Sequence, residues 1–152
     1  MKQVLEEYPQ LDASRVGFWG WSYGGYFTLY ALEKSNQFKA GVAVAPVTDW
    51  RNYDSIYTER YMGLPTENEN GYRKSSPANF AGELHGSVLE VHGTSDDNVH
   101  FQNSIQMSEG LIKAGKQFRF MVYPNKTHSI NGPTDRVHLF HMIEDFFNQQ
   151  LK

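Results

Sequence analysis

The stretch Val16-Gly17-Phe18-Trp19-Gly20-Trp21-Ser22-Tyr23-Gly24-Gly25 decides the fold. Residues 16–21 form a compact apolar run, the signature of a strand buried on both faces. The run stops at Ser22-Tyr23-Gly24-Gly25, and residues 26–34 have helical composition without a breaker. A strand, a tight turn and a helix in succession open a β-α unit. Working outward, residues 40–45 read as a second strand closed by Pro46, and residues 2–9 as a short helical stretch before a turn at 9–14. Residues 47–84 are Tyr- and Asn-rich, carry Pro65 and Pro77, and read as a long irregular connection.

Order returns with Ser87-Val88-Leu89-Glu90-Val91-His92-Gly93, a third strand. Residues 100–114 read as an amphipathic helix with Ile105, Leu111 and Ile112 on its apolar side. Gly115 fits the position after a helix end, and residues 117–123 alternate as a fourth strand. From Thr134 onward Val137, Phe140, Phe147 and Leu151 recur at helical spacing. The order β-α-β-loop-β-α-β-α implies an α/β fold, a mostly parallel sheet with flanking helices.

Bulk properties remove several function classes. The chain of 152 residues is one domain by length, and its net charge of -3 offers no footprint for nucleic acid. No apolar run reaches the roughly 18 residues of a membrane span. Residues 1–8 read as an amphipathic helix and not as a signal peptide. With no cysteine there is neither a disulfide framework nor a thiolate metal site. No cofactor is expected.

Gly20-Trp21-Ser22-Tyr23-Gly24 is a G-x-S-x-G sequence placed between an apolar strand and a helix. That placement suits a nucleophile elbow, in which backbone approaches backbone on both sides of the serine. A bulky residue at Gly20 or Gly24 is expected to clash there. A serine hydroxyl becomes a useful nucleophile only when an imidazole takes its proton, and the imidazole needs an acid to hold it. α/β-Hydrolases present these groups in the chain order Ser, acid, His, at the C-terminal ends of strands. The third strand runs into Thr94-Ser95-Asp96-Asp97 and the fourth into Pro124-Asn125-Lys126-Thr127-His128. Ser22 is the expected nucleophile, Asp96 or Asp97 the acid, and His128 the base.

Longer strings carry a more specific likeness. Trp19 to Gly25, Ala43-Val44-Ala45-Pro46-Val47-Thr48-Asp49-Trp50, Tyr57-Thr58-Glu59-Arg60-Tyr61-Met62-Gly63-Leu64-Pro65 and His92-Gly93-Thr94-Ser95-Asp96-Asp97-Asn98-Val99-His100-Phe101 resemble the dipeptidyl-peptidase branch of the prolyl oligopeptidase family. The resemblance implies the C-terminal portion of an α/β-hydrolase peptidase domain across residues 1–152. It implies a serine exopeptidase that releases N-terminal Xaa-Pro dipeptides by acyl transfer. It selects Asp96 over Asp97 as the acid and gives Tyr23 the backbone N–H of the oxyanion hole. It assigns Val47, Trp50, Tyr53, Tyr57 and Val99 to a small apolar pocket for proline. Asn98 would bind a substrate carbonyl, and Tyr53 also the substrate's free amine. The expected partners are peptide substrates with proline at the second position.

Three departures from the family pattern stand out. Ser129 follows the base where glycine is usual. The cysteines of animal secreted relatives are absent, which favours a bacterial periplasmic or cytoplasmic source. Only 21 residues precede Ser22. The first strands of the sheet, the upstream tyrosine that is the second oxyanion donor and the N-terminal propeller are therefore expected to lie outside this chain. The cut sheet would leave an open edge, so a homo-oligomer is expected, and the chain alone is expected to be nearly inactive. The rival readings are another α/β hydrolase, such as an acyl-aminoacyl peptidase or esterase, and an inactive fragment. Among the other candidates, His138 and His141 read as an exposed helix face, and His92 and His100 as supports of the acid loop. Glu67, Glu69 and Asn70 read as a solvated loop tip. Asn125-Lys126-Thr127 is a glycosylation sequon too close to the base to carry a glycan.

Overall fold

A computed structural model describes residues 2–152. Its helices are α1 (Lys2–Glu7), α2 (Tyr23–Lys34), α3 (Ser55–Met62), α4 (Glu69–Lys74), α5 (Gln102–Lys113) and α6 (Pro133–Gln150). Its strands are β1 (Gly17–Trp21), β2 (Ala40–Val44), β3 (Ser87–Gly93) and β4 (Arg119–Tyr123). The strands form one sheet in the order β1-β2-β3-β4, every pair parallel. This is the expected α/β layering. Met1, part of the expected N-terminal amphipathic stretch, lies outside the described residues, and α1 is largely exposed.

The central strands are buried on both faces because helices cover both sides of the sheet. All five residues of β2 are buried. Val42, Val44, Leu89 and Val91 pack with Leu139, Ile143 and Phe146 of α6. On the opposite side Ala43 and Val88 pack with Leu29 and Leu32 of α2 and Met107 and Leu111 of α5. The alternation follows from side chains pointing to opposite faces at successive strand positions. It also places Glu90 and His92 on the α5 side, with Val88.

Several expectations shift. Residues 47–84 are more regular than their composition suggests. They hold α3, α4 and 3-10 turns at Trp50–Asn52, Pro77–Asn79 and Ala81–Glu83. The Asn68 side chain caps α4 by accepting the Gly71 N–H, so Glu69 and Asn70 open a helix in place of a loop tip. On α5 only Leu111 of the three expected residues is buried; Ile105 and Ile112 face solvent, and Asn103, Ser104 and Met107 face inward. On α6 Val137 and Phe140 are exposed, and the buried stripe is Leu139, Ile143 and Phe146. The cause is tertiary. Asn103 turns inward because its side-chain oxygen accepts the Thr48 N–H, tying α5 to the loop after β2.

Candidate active site

β1 ends in a turn that the chain takes at a conformational cost. Ser22 sits at φ 59, ψ -116. Such a backbone costs about 1–3 kcal/mol and persists only where its surroundings hold it. Here its N–H donates to the Val44 carbonyl at 2.8 Å, and its own carbonyl accepts the Tyr26 N–H. A Cβ on Gly20 would stand 2.3 Å from the Gly24 carbonyl carbon, so glycine is obligatory there. The expectation for Gly24 needs correction, because a Cβ at that position meets nothing within 4 Å. The crowded partner is Gly25, where a Cβ would lie 2.8 Å from the Val44 carbonyl oxygen. Tyr23 is the first residue of α2, a position whose N–H has no acceptor within the helix.

The loops after β3 and β4 are pressed together. Ser95 N–H donates to the Lys126 carbonyl at 3.0 Å, and Gly93 approaches that carbonyl so closely that a Cβ would be 2.2 Å from its oxygen. This crossing brings Asp96 to His128, with His128 Nδ1 2.8 Å from Asp96 Oδ2. The other carboxylate oxygen, Oδ1, accepts the N–H groups of Asn98 and Val99. Burial by itself would raise the Asp96 carboxyl. Hydrogen bonds from His128, His92 and the Asn98 N–H outweigh it and hold the group well below the usual carboxylate range. Asp97 is exposed. The Trp21 indole, beside Ser22, donates to the His128 carbonyl at 2.9 Å and ties the base loop to the elbow. Among the described residues Ser22 Oγ makes no hydrogen bond, so the last link, from His128 to Ser22, is open in this structure. Such links are often long until substrate binds.

The expected pocket residues gather around one indole. The Trp50 ring lies 5.9 Å from Tyr53, 6.3 Å from Tyr57 and 5.6 Å from Tyr23, centroid to centroid. Asp49 positions Trp50 by capping its 3-10 turn through the Arg51 N–H. Val47 and Val99 are buried in the same cluster, with Tyr26 and Tyr72. The Tyr53 hydroxyl donates to Asn98 Oδ1 at 2.8 Å, joining the aromatic wall to the acid loop. A cleft of about 560 Å³ opens here between Tyr23, Tyr26, Trp50, Tyr57, Thr58, Tyr61, Met62 and Ser75. Of the expected pocket set it includes Trp50 and Tyr57, while Val47, Tyr53, Asn98 and Val99 lie outside its lining. A second cleft, of about 490 Å³, lies against β4 and α6 and contains none of Ser22, Asp96 and His128. His138 and His141 are exposed, and His138 Nδ1 meets the Tyr123 hydroxyl at 2.7 Å. Among the described residues no cluster of His, Asp and Glu suits a metal ion.

Two contributors escaped the sequence reading. Trp21 is a free position of the G-x-S-x-G pattern, and nothing local marks it as an anchor for His128. Ser104 contacts His92 across 12 residues, and only the helix phase of α5 could have hinted at it.

The chain is similar to known proteins in sequence and in fold. Bovine (Bos taurus) dipeptidyl peptidase 4 is 46% identical over 143 residues, which is 91% of this chain and 19% of that protein. The crystal structure of Porphyromonas gingivalis dipeptidyl peptidase 4 superimposes with a TM-score of 0.94 at 48% identity. That match covers 98% of this chain and 21% of the other. Pyrococcus horikoshii acylaminoacyl peptidase superimposes with a TM-score of 0.91 at 29% identity, covering 99% of this chain and 26% of the other. The chain thus spans about a fifth to a quarter of these relatives. These likenesses make the fold that of the α/β-hydrolase peptidases. Residues 1–152 match the prolyl oligopeptidase family throughout, and the chain belongs to that family.

Proposed function

We propose that this chain carries the reacting groups of a serine exopeptidase that releases N-terminal Xaa-Pro dipeptides. The observation that carries the reading is Asp96 buried on His128, 2.8 Å apart, on the same rim of the sheet as a strained Ser22 at the head of α2. Asp96 accepts the Nδ1 proton of His128 and so leaves Nε2 as the base. His128 takes the Ser22 hydroxyl proton as Oγ attacks the scissile carbonyl, and the Tyr23 N–H meets the oxyanion that forms. The same proton passes to the departing amine, leaving the dipeptide as an ester on Ser22. Water then attacks the ester, His128 takes the water's proton and returns it to Ser22 Oγ, and the free dipeptide leaves.

The aromatic walls support proline at the second position. A proline ring is compact, apolar and without an N–H, so packed rings recognise it without needing a hydrogen bond. Because Asn98 Oδ1 already accepts the Tyr53 hydroxyl, its NH₂ is free to donate to a substrate carbonyl. Tyr53 would also face the substrate's free amine. The likeness to an acylaminoacyl peptidase favours a second reading, removal of N-acylated residues by the same groups.

A reporter panel separates the two. The chain is assayed in the context of the complete protein, with Ser22→Ala as control, on chromogenic Xaa-Pro amides and on acyl-aminoacyl amides. Turnover of the first set alone is expected. Turnover of the second alone would replace this reading with the other, and equal rates in the control would remove Ser22 from the chemistry.

A further inference from the structure

His92 is fully buried near the end of β3, and both of its ring nitrogens are engaged. Nδ1 lies 2.6 Å from Ser104 Oγ on α5. Nε2 lies 2.8 Å from the Val99 carbonyl oxygen and 3.2 Å from Asp96 Oδ2. A carbonyl and a carboxylate only accept hydrogen bonds, so Nε2 must carry the proton. Nδ1 is then the acceptor, and the Ser104 hydroxyl donates to it. The tautomer follows from these partners.

A buried histidine with two partners is ordinarily a satisfied core residue. The difference here is the oxygen it shares. Oδ2 of Asp96 is also the atom that meets His128 Nδ1, while Oδ1 is held by two backbone amides. One carboxylate is therefore fixed at both oxygens and lies between two imidazoles, one partly exposed and one sealed in the core. Sharing Oδ2 takes some strength from its bond to His128, but it removes the carboxylate's freedom to swing. Orientation outweighs that loss, because small misplacements of catalytic groups cost about a hundred-fold in rate. Glu90 lies on the same face of β3, and burial raises its carboxyl to about 8 against a small opposing effect of Ser104.

Resting on the Ser22–Asp96–His128 reading above, we propose that His92, oriented by Ser104, is a positioning residue that holds the Asp96 oxygen on which His128 aligns. Nothing in the reaction requires His92 to touch substrate. It acts through Asp96.

The test uses His92→Gln and Ser104→Ala in the isotopically labelled complete protein, because the 152-residue chain alone is expected to be nearly inactive, and two readouts. The first is the His128 Nδ1 proton in NMR spectra, which a carboxylate partner moves far downfield. In both variants it is expected to move upfield and to exchange faster with water. The second is turnover of an Xaa-Pro reporter. We expect kcat to fall about ten- to a hundred-fold for His92→Gln, and less for Ser104→Ala, with KM nearly unchanged. A folded variant whose His128 proton and kcat match the parent overturns the proposal. If His92→Gln does not fold, Ser104→Ala decides, since it keeps the imidazole and nearly all the core volume. A parent that shows the His128 signal, loses it in the variants and never cleaves peptide would overturn the proposed function while supporting the positioning role.

Discussion

At the residue scale the aromatic box separates recognition from packing. Trp50 is 6% exposed and belongs to the core, whereas Tyr57 is 42% exposed and Tyr53 is only half-buried. Removing a phenol from the rim should therefore cost substrate contact more than folding. In the complete protein, Tyr53→Ala and Tyr57→Ala are expected to lower kcat/KM on an Xaa-Pro reporter by about ten- to a hundred-fold, the worth of a few kcal/mol in a specificity pocket. Their melting temperatures should stay within a few degrees of the parent. Kinetics beside a melting curve checks this, and unchanged turnover in both would return these tyrosines to packing. Tyr53 also donates to Asn98, so under the proposed function its variant should weaken discrimination for the substrate carbonyl as well.

At the scale of elements, the β1–α2 turn and the buried face of β3 each yield a measurable contrast. Gly20→Ala drives a methyl into the Gly24 backbone and should destabilise the protein by several kcal/mol or abolish folding. Gly24→Ala, within α2 and facing open space, should be neutral or stabilise by about 0.5–1 kcal/mol. Denaturant melts of the two variants decide whether the elbow is crowded on the side described. On β3 and α2, Glu90 and Glu33 are buried without hydrogen-bond partners, and burial raises each carboxyl to about 8 from an ordinary 4.5. The folded state thus keeps protons that the unfolded chain has released. Stability from this source is full below pH 4.5 and is lost as pH rises towards about 8. Asp96 has the opposite sign: its share is present above the ordinary carboxylate value and is lost as pH falls. Melting temperature is expected to drop by several degrees between about pH 5 and about pH 8, and Glu90→Gln should flatten that slope. A slope unchanged by Glu90→Gln would mean that the carboxylate finds a partner when it ionises.

At the scale of the molecule, the sheet ends in an open side. β1 pairs with β2 alone, so its other edge has no strand among the described residues. Trp19 on that strand is 48% exposed and meets Phe140 of α6 edge to face at 6.2 Å, with Val137 exposed on the same helix. An unpaired edge beside exposed apolar rings promotes association. The 152-residue polypeptide on its own is expected to run as a dimer or larger species in light scattering, and Trp19→Lys should shift it towards monomer. A monodisperse parent monomer would count against this reading of the edge. The sheet continues smoothly from the elbow to the base loop, so Ser22, Asp96 and His128 all arise from strand ends on one rim.

Much of this was legible without coordinates. The alternation of apolar runs with helical segments determined the parallel sheet, because strands covered on both faces must be apolar throughout. The glycines around Ser22, and Asp96 and His128 placed after later strands, indicated that these three residues share one rim of the sheet. These are local signals, carried by composition and chain order. Tertiary structure decided the rest. Helical periodicity says that one side of α5 or α6 is apolar enough to bury, but contacts from distant segments chose the buried side. Asn103 was turned inward by Thr48, and Phe140 outward beside Trp19. The helix at Ser55–Met62 escaped notice because its tyrosines spoke of packing more than of periodicity. Two adjacent aspartates are alike as letters; only the crossing of two loops buried Asp96 on His128 and left Asp97 in solvent. The oxygen shared by His92 and His128 belongs to the same class, because hydrogen-bond geometry between residues 4 to 32 positions apart exists only once the chain has folded.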